Sequence, residues 1–254
     1  MSRPPSSPSD ALRDVYELRA DVHYAEPVGP PDPAVDRKFE RISEVLRRHL
    51  PCRSFLDAGC GDGRYFTVVA AAPPRERLVG CDISERILTT AQASAARVGL
   101  KPQLVRANLE SLPFEEEAFD LVLCTQVLEH VLDPIAAVRE LARVLEPGGR
   151  LLLSTDHAGN TVTRVLFAPR IAAVTLLGVR GRRDPVKFPE RRFRIAELER
   201  VVNEAGLLVE CLETFRFSVP PPFGNRARRL LNQVEKACPP HRHGDVLLVV
   251  ARRP

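Results

Sequence analysis

The sequence lacks the hydrophobic runs that insertion into a membrane requires. Among its 254 residues, no stretch approaches the roughly 20 uncharged apolar residues of a transmembrane helix. Its first residues, MSRPPSSPSD, lack the basic and apolar segments of a secretory signal peptide. We therefore expect a cytoplasmic protein without a transmembrane segment.

The sequence also lacks the cysteine spacing of a disulfide framework or a zinc site. Its six cysteines are scattered, at positions 52, 60, 81, 124, 211 and 238. Several of them end apolar segments, where cysteine usually acts as a small hydrophobic residue. Cys238, His241 and His243 cluster near the C-terminus, but no two further ligands stand at zinc-finger spacing. We expect reduced thiols and no metal.

A strong net charge is absent as well, because lysine and arginine exceed the acidic residues by only four. One stretch is nevertheless basic, and it contains Arg180, Arg182, Arg183, Lys187, Arg191, Arg192 and Arg194. A solvated basic face explains this stretch, and contact with an anionic or membrane surface is the alternative. The mild overall charge argues against a nucleic-acid partner.

A glycine-rich loop is the most informative feature that the sequence does contain. Ser54–Gly63 reads SFLDAGCGDG, which predicts a strand, a tight turn and the start of a helix. Gly59, Gly61 and Gly63 alternate with other residues, in the spacing G-x-G-x-G and not the G-x-G-x-x-G of dinucleotide-binding loops. Glycines let the backbone N–H groups of such a loop approach a ligand closely. The loop therefore predicts a binding site for a small polar ligand.

An acidic residue follows at the distance expected for a ribose contact. Asp82 ends a second apolar segment, Leu78–Cys81, about twenty residues beyond the loop. In nucleoside-binding βαβ units, a carboxylate in this position accepts hydrogen bonds from ribose hydroxyls. Together with the loop, Asp82 predicts a ligand that carries an unphosphorylated ribose diol.

In these motifs the sequence resembles the class I S-adenosylmethionine-dependent methyltransferases, in particular the group that includes the ubiquinone- and menaquinone-biosynthesis methyltransferases. LDAGCGDG is similar to the first motif of the family, and GCDIS is similar to the second. The later stretches NLESLPFEEEAFDLVLC, QVLEHVLDP and LEPGGRLLLS follow in the family's order. The resemblance is dense over residues 50–156. It implies S-adenosylmethionine as the cofactor and says little about the acceptor.

The alternation of strands and helices predicts an α/β fold. The resemblance implies a Rossmann-like, doubly wound sheet of seven strands, mostly parallel, with an antiparallel last strand. We expect residues 1–34 to form a partly disordered N-terminal extension and residues 35–254 to form the methyltransferase domain. Asp32-Pro33 predicts the start of the helix before the glycine loop, and Arg150 to Thr155 predicts the fifth strand.

Residues 158–193 interrupt the alternation, and a connection this long is usually functional or disordered. We interpret this insertion as a helical cap over the acceptor site, and a decorative helical hairpin is the alternative. Its apolar segments are flanked by basic residues, so residues 160–190 are also a candidate for peripheral membrane contact.

The resemblance implies a set of cofactor-binding residues. They are Asp57, Gly59, Cys60, Gly61, Asp82, Ile83, Asn108, Leu109, Thr125 and Gln126, with Tyr24 as an aromatic lid. Asn108 stands where the family commonly has an aspartate. An amide can still accept a hydrogen bond from the adenine amino group.

His130 and His157 are the candidates for a general base, because each follows a central strand and histidine titrates near neutral pH. A structural role at a helix start is the alternative for His130. Glu129 could orient His130, but one Glu-His pair is not a metal site.

Three functions are compatible with these features. The first is a methyltransferase that acts on oxygen of a small aromatic or lipid-like acceptor. The second is an RNA methyltransferase that uses the basic stretch, and the third is a non-catalytic S-adenosylmethionine-binding protein. The fourth strand ends in Thr125-Gln126-Val127-Leu128 and lacks the Asn/Asp-Pro-Pro-aromatic element of enzymes that methylate exocyclic amines, which argues against such a substrate.

Overall fold

A computed structural model describes residues 7–23, 36–159, 191–216 and 243–254, together with 229, 230, 232, 233 and 235. Its centre is a seven-stranded sheet with the order β3-β2-β1-β4-β5-β7-β6, in which β7 is antiparallel to both neighbours. The strands are Ser54–Ala58 (β1), Arg77–Asp82 (β2), Gln103–Arg106 (β3), Phe119–Thr125 (β4), Leu145–Asp156 (β5), Leu208–Phe215 (β6) and Val246–Arg252 (β7). The predicted sheet is thereby confirmed. The fifth strand is longer than the predicted Arg150 to Thr155.

Six helices of the described chain accompany the sheet. They are Pro8–His23 (α1), Arg37–Arg47 (α2), Phe66–Val69 (α3), Glu85–Arg97 (α4), Pro134–Val144 (α5) and Ile195–Glu204 (α6). The predicted start of α2 at Asp32-Pro33 is wrong. The helix begins at Arg37, where the Asp36 carboxylate accepts a hydrogen bond from the backbone N–H of Phe39 and caps the first turn.

The sheet is buried on both faces because neighbouring side chains of its central strands alternate between two hydrophobic clusters. In β1, Phe55 packs with residues of α2 on one face. The next residue, Leu56, packs on the other face with residues of α5 and α6. This alternation explains the nearly continuous apolar sequence of the central strands.

The strand order reverses between β1 and β4, which are neighbours in the sheet although β2 and β3 follow β1 in the chain. The connections that leave these two central strands run to opposite sides and leave a crevice at the carboxyl ends. Among the helices of the described residues, none is long and apolar enough to cross a membrane. The predicted cap lies almost wholly in residues 160–190, outside the described chain.

Candidate functional site

A cleft of about 490 Å³ lies at the carboxyl ends of β1, β2 and β4. It brings together ten of the predicted site residues, namely Gly59, Cys60, Gly61, Asp82, Ile83, Asn108, Leu109, Thr125, Gln126 and His130. Asp57 and His157 do not line it. Tyr24 lies outside the described residues.

The glycine loop is anchored to the end of β2. The backbone N–H groups of Gly59 and Cys60 both donate to the carbonyl of Cys81, at 2.8 and 2.9 Å. Gly59 has a φ of +77°, and a Cβ built on it would lie 2.2 Å from Cγ2 of Val127. A side chain at this position would therefore be strained and would collide with the wall of the cleft.

Asp82 is held rigidly beside the loop. Its carboxylate accepts hydrogen bonds from the backbone N–H groups of Gly61 and Ser84, each at 3.1 Å. Burial raises the pKa of Asp82 to about 6, although these N–H groups favour the charged form. Each carboxylate oxygen has a second lone pair. The side chain can therefore accept hydrogen bonds from two adjacent hydroxyls of a ligand in the cleft.

Asp57 lies beneath the loop instead of in the cleft wall. Its side chain is completely buried, and neither carboxylate oxygen has a hydrogen-bond partner among the described residues. Burial raises the pKa of Asp57 to about 8, and the nearby Asp62 and Asp82 add to the shift. The protein therefore keeps an uncompensated carboxyl group under the ligand-binding loop.

Replacing Asp57 by asparagine is expected to stabilise the ligand-free protein at high pH. The folded-state pKa of Asp57 lies near 8, above the ordinary value of 3.8, so the folded protein holds this proton more tightly than the unfolded chain. The stability of the wild type should therefore fall as the pH rises from about 4 to about 8. At pH 8 we expect Asp57→Asn to have a free energy of unfolding about 2–4 kcal/mol above wild type, and near pH 4 no such advantage.

Urea denaturation at the two pH values measures this difference. Asp120→Asn is the matched control. The Asp120 carboxylate accepts hydrogen bonds from the backbone N–H groups of Arg53 and Ser54, so its replacement should destabilise the protein. Equal stabilities of Asp57→Asn and wild type at pH 8 would contradict the assignment of a buried, uncompensated carboxyl group.

Asn108 and Leu109 form the wall of the cleft beyond β3. The side-chain oxygen of Asn108 accepts a hydrogen bond from the N–H of Glu110 at 3.1 Å, which fixes the orientation of the amide. Leu109 is almost fully buried and offers an apolar surface next to this amide. This end of the cleft combines a polar group with a flat apolar wall, as a purine ring requires.

The sequence did not indicate Lys38, which lines the cleft from α2. Its ammonium group donates to the side-chain oxygen of Gln126, at the end of β4. Burial lowers the pKa of Lys38, and Arg216 adds to the shift, while Asp156 and Glu129 oppose it. Lys38 stands about twenty residues before the loop, and no local pattern distinguishes it from the other basic residues of α2.

Gln126 adopts an unusual backbone conformation for a residue other than glycine, with a φ of +55°. Its side-chain nitrogen is buried and finds no hydrogen-bond partner in the described ranges. Strained backbone and unsatisfied donors are concentrated at functional sites. Lys38 and Gln126 line the cleft at the end of β4, whereas Asn108 lies beyond β3, with β1 and β2 between them in the sheet.

The two candidate bases lie in different surroundings. His130 lines the cleft, and its ring meets the ring of Tyr16 from α1 edge to face, with 5.9 Å between centroids. His157 is buried just after the end of β5, where Nδ1 lies 2.7 Å from the carbonyl oxygen of Gly244. The structure therefore brings His130, and not His157, into the site.

Glu129 is buried next to these groups, and its carboxylate accepts a hydrogen bond of 2.8 Å from the hydroxyl of Thr155. Burial raises the pKa of Glu129 to about 7, and Asp156 adds to the shift. Within the described ranges, no group of three or more metal-ligating side chains is close enough to hold an ion. Two members of the C-terminal cluster, Cys238 and His241, fall outside those ranges.

Comparison with known proteins agrees with this geometry. The family described as "Methyltransferase domain" matches residues 56–153. A probable S-adenosylmethionine-dependent methyltransferase of Mycolicibacterium smegmatis is 31% identical over 175 residues, which are 68% of this chain and 59% of the relative. A ubiquinone biosynthesis O-methyltransferase of Nitrosospira multiformis is 32% identical over 170 residues, 65% of this chain and 67% of the relative. The chain spans about three fifths of the length of the curated relatives that it matches.

A solved structure shows the same fold. The magnesium protoporphyrin IX methyltransferase of Synechocystis, with bound S-adenosylhomocysteine, superposes with a TM-score of 0.62 at 17% identity. The superposition covers 97% of this chain and 99% of that protein. At this level of identity, the similarity establishes the fold alone.

Proposed function

Since the chain belongs to the class I S-adenosylmethionine-dependent methyltransferases, we propose that its cleft binds S-adenosylmethionine and that the protein transfers the methyl group to oxygen of a small acceptor. The observation that carries this proposal is the junction of the glycine loop with Asp82. There the backbone N–H of Gly61 donates to the Asp82 carboxylate at 3.1 Å. The adjacent part of the cleft has room for a ligand only because residue 59 is a glycine, since a side chain there would collide with Val127.

The charges around the loop favour this cofactor over a dinucleotide. Asp57, Asp62 and Asp82 lie close enough together to raise the pKa of Asp57, and Asp62 is balanced by its ion pair with Arg64. Because the pKa of Asp57 lies near 8, this group is neutral at pH 7, and the Asp82 carboxylate is the main negative charge beside the loop. A single carboxylate at this place suits a ligand with a sulfonium and an ammonium group better than a pyrophosphate. The helix after the loop, Phe66–Val69, has only four residues, so its dipole offers little to a phosphate.

The cofactor's parts can then be assigned to the cleft. Asp82 accepts from the ribose hydroxyls, and Asn108 and Leu109 receive the adenine ring. The methionine part extends along Gly59–Gly61 toward Thr125 and Gln126. Lys38 lies at that end, and we propose that its ammonium group pairs with the methionine carboxylate.

The reaction itself requires alignment more than a reactive side chain. S-adenosylmethionine supplies an electrophilic methyl group. The lone pair of an acceptor oxygen would form a bond to the methyl carbon while the carbon–sulfur bond breaks and its electron pair stays on sulfur. The protein has to hold that oxygen in line, about 3 Å from the methyl carbon. His130 is the histidine in the cleft and is our candidate for taking the proton that the acceptor hydroxyl loses.

Methylation at oxygen is supported by the relatives named as ubiquinone biosynthesis O-methyltransferases. Methyl-labelled S-adenosylmethionine, offered with catechols and other phenols, with amines and with bulk RNA, tests this proposal. We expect label on a phenolic oxygen and none when Asp82 is replaced. Label in RNA would establish the RNA methyltransferase alternative, and cofactor binding without transfer to any acceptor would favour a non-catalytic protein.

Replacing Lys38 by methionine is expected to weaken S-adenosylhomocysteine binding about tenfold, the effect of losing one charge-assisted hydrogen bond. Binding of 5′-methylthioadenosine, which lacks the carboxylate, should not change. Calorimetric titration of both ligands measures the difference, and Arg47→Met on the exposed side of α2 is the control. An equal loss for both ligands would contradict the assignment of Lys38 to the carboxylate.

A further inference from the structure

The N-terminal helix α1 covers part of the proposed cofactor site. Leu12 and Tyr16 of α1 line the cleft together with Asp82 and Asn108. The hydroxyl of Ser9 lies 3.5 Å from the side-chain nitrogen of Asn108. A ligand that fills the adenosine end of the cleft would therefore lie between α1 and the ends of β2 and β3.

Apolar packing holds α1 in place only weakly. Among the residues of α1 whose side chains are described, Leu12 is the one apolar residue that is buried. Leu18 of the same helix is 55% exposed. A helix with so little buried apolar surface opens more easily than the core, so its polar contacts decide how long it stays closed.

One side chain, that of Glu17, supplies several of these polar contacts. The Glu17 carboxylate accepts hydrogen bonds from the hydroxyl of Ser84 at 2.9 Å and from the backbone N–H of Glu85 at 2.8 Å. The N–H of Arg86 lies 3.4 Å from the same carboxylate. These two N–H groups belong to the first turn of α4 and have no partner within their own helix. Glu17 therefore completes the cap of a helix that lies 67 residues away in the chain.

The same turn holds the residue assigned to the ribose. Ser84 donates its backbone N–H to Asp82 and its hydroxyl to Glu17, and that hydroxyl accepts from the N–H of Ile87. A ligand that immobilises Asp82 and a helix that immobilises Ser84 thus stiffen one short segment. Two events that order the same segment favour each other, and the coupling is reciprocal.

We propose that Glu17 is a positioning residue that latches α1 over the adenosine end of the cleft, so that cofactor release requires the latch to break. The inference rests on the proposed function, because it takes the cleft as the cofactor site. This latch differs from the aromatic lid expected at Tyr24, because the contact that holds α1 in place is made by the Glu17 carboxylate with the N-terminus of α4.

The kinetics of S-adenosylhomocysteine on the immobilised full chain, measured by surface plasmon resonance, test the latch. We expect Glu17→Ala to raise the dissociation rate constant about tenfold, as for the loss of one charge-assisted hydrogen bond, without slowing association. Glu17→Gln keeps one carbonyl acceptor and should show a smaller increase. Asp14→Ala is the matched control, because Asp14 is an exposed carboxylate on the same helix and should leave both rate constants unchanged.

Hydrogen exchange of the ligand-free protein provides a second readout. Glu17→Ala should speed the exchange of the amides in residues 8–23 and leave those of β4 at the wild-type rate. The latch would be overturned if S-adenosylhomocysteine dissociated from Glu17→Ala at the wild-type rate. It would also be overturned if Asp14→Ala raised the dissociation rate constant as much as Glu17→Ala. A wild type that binds no S-adenosylhomocysteine would refute the proposed function, and unchanged exchange of α1 in Glu17→Ala would then refute the latch independently.

Discussion

Replacing Asp82 by alanine is expected to lower the affinity for S-adenosylhomocysteine about 100-fold or more. The proposed ribose contact comprises two charge-assisted hydrogen bonds, each corresponding to roughly a tenfold change in affinity or more. The substitution also removes the acceptor that fixes the N–H groups of Gly61 and Ser84, at 3.1 Å each. Both the ribose contact and the shape of the loop therefore depend on this one side chain.

Asp82→Asn separates these two effects. Asparagine keeps one oxygen that can hold a backbone N–H, but it lacks the charge and the second acceptor that the ribose diol needs. We expect it to lose nearly as much affinity as Asp82→Ala while retaining more stability. Glu76→Gln is the control. Glu76 is exposed and precedes the first residue of β2, at the end of the strand opposite Asp82, so its replacement should not affect binding. Calorimetric affinities near wild type for Asp82→Ala would contradict the ribose assignment.

Replacing Gly59 by alanine is expected to destabilise the protein by about 2–4 kcal/mol and to abolish cofactor binding. Two causes act together. The φ of +77° is unfavourable for alanine, and the new Cβ would lie 2.2 Å from Cγ2 of Val127. To relieve this contact, either the glycine loop or Val127 in the wall of the cleft has to move. Both are proposed to touch the cofactor.

Gly99→Ala isolates the first cause, the backbone strain. Gly99 has a similar φ of +74° but no atom within 4 Å of a built Cβ, so this variant should be destabilised only by the backbone strain, about 1–2 kcal/mol. The double variant Gly59→Ala/Val127→Ala should recover part of the loss. Urea denaturation and calorimetry measure both effects, and equal destabilisation of the two single glycine variants would show that the contact with Val127 is unimportant.

The sequence predicted those parts of the site that depend on local patterns. The glycine loop and Asp82 both follow the ends of apolar strands, and parallel strands bring their carboxyl ends to one edge of a sheet. The family resemblance then implied the cofactor and a seven-stranded, mostly parallel sheet, which the comparisons and the observed sheet confirm. The resemblance also implied that the last strand is antiparallel, as β7 is.

The sequence did not predict the contacts that join distant segments. Lys38 and Glu17 reach the cleft region from helices that precede the loop, and their partners, Gln126 and Ser84, stand 88 and 67 residues away. Asp57 illustrates a different limit. The family resemblance implied a cofactor contact for Asp57, but all five residues of β1 are buried, and the side chain lies below the loop.

Helix boundaries depended on a choice between two similar signals. Asp32-Pro33 and Asp36 both carry the aspartate that caps helices, and Asp32 also precedes a proline. The described structure begins α2 after Asp36. Local capping patterns are nearly equivalent at the two positions, and the observed start is marked by the hydrogen bond from the N–H of Phe39 to the Asp36 carboxylate.

Calorimetric titration of the wild-type protein with S-adenosylmethionine and S-adenosylhomocysteine, with NAD as the control ligand, tests the central claim most directly. We expect both adenosyl ligands to bind with a stoichiometry of one per chain and NAD to show no binding, because the Asp82 carboxylate beside the loop and the four-residue helix after it disfavour a pyrophosphate. A folded protein that binds NAD, or that binds neither adenosyl ligand, would contradict the assignment of this cleft to S-adenosylmethionine.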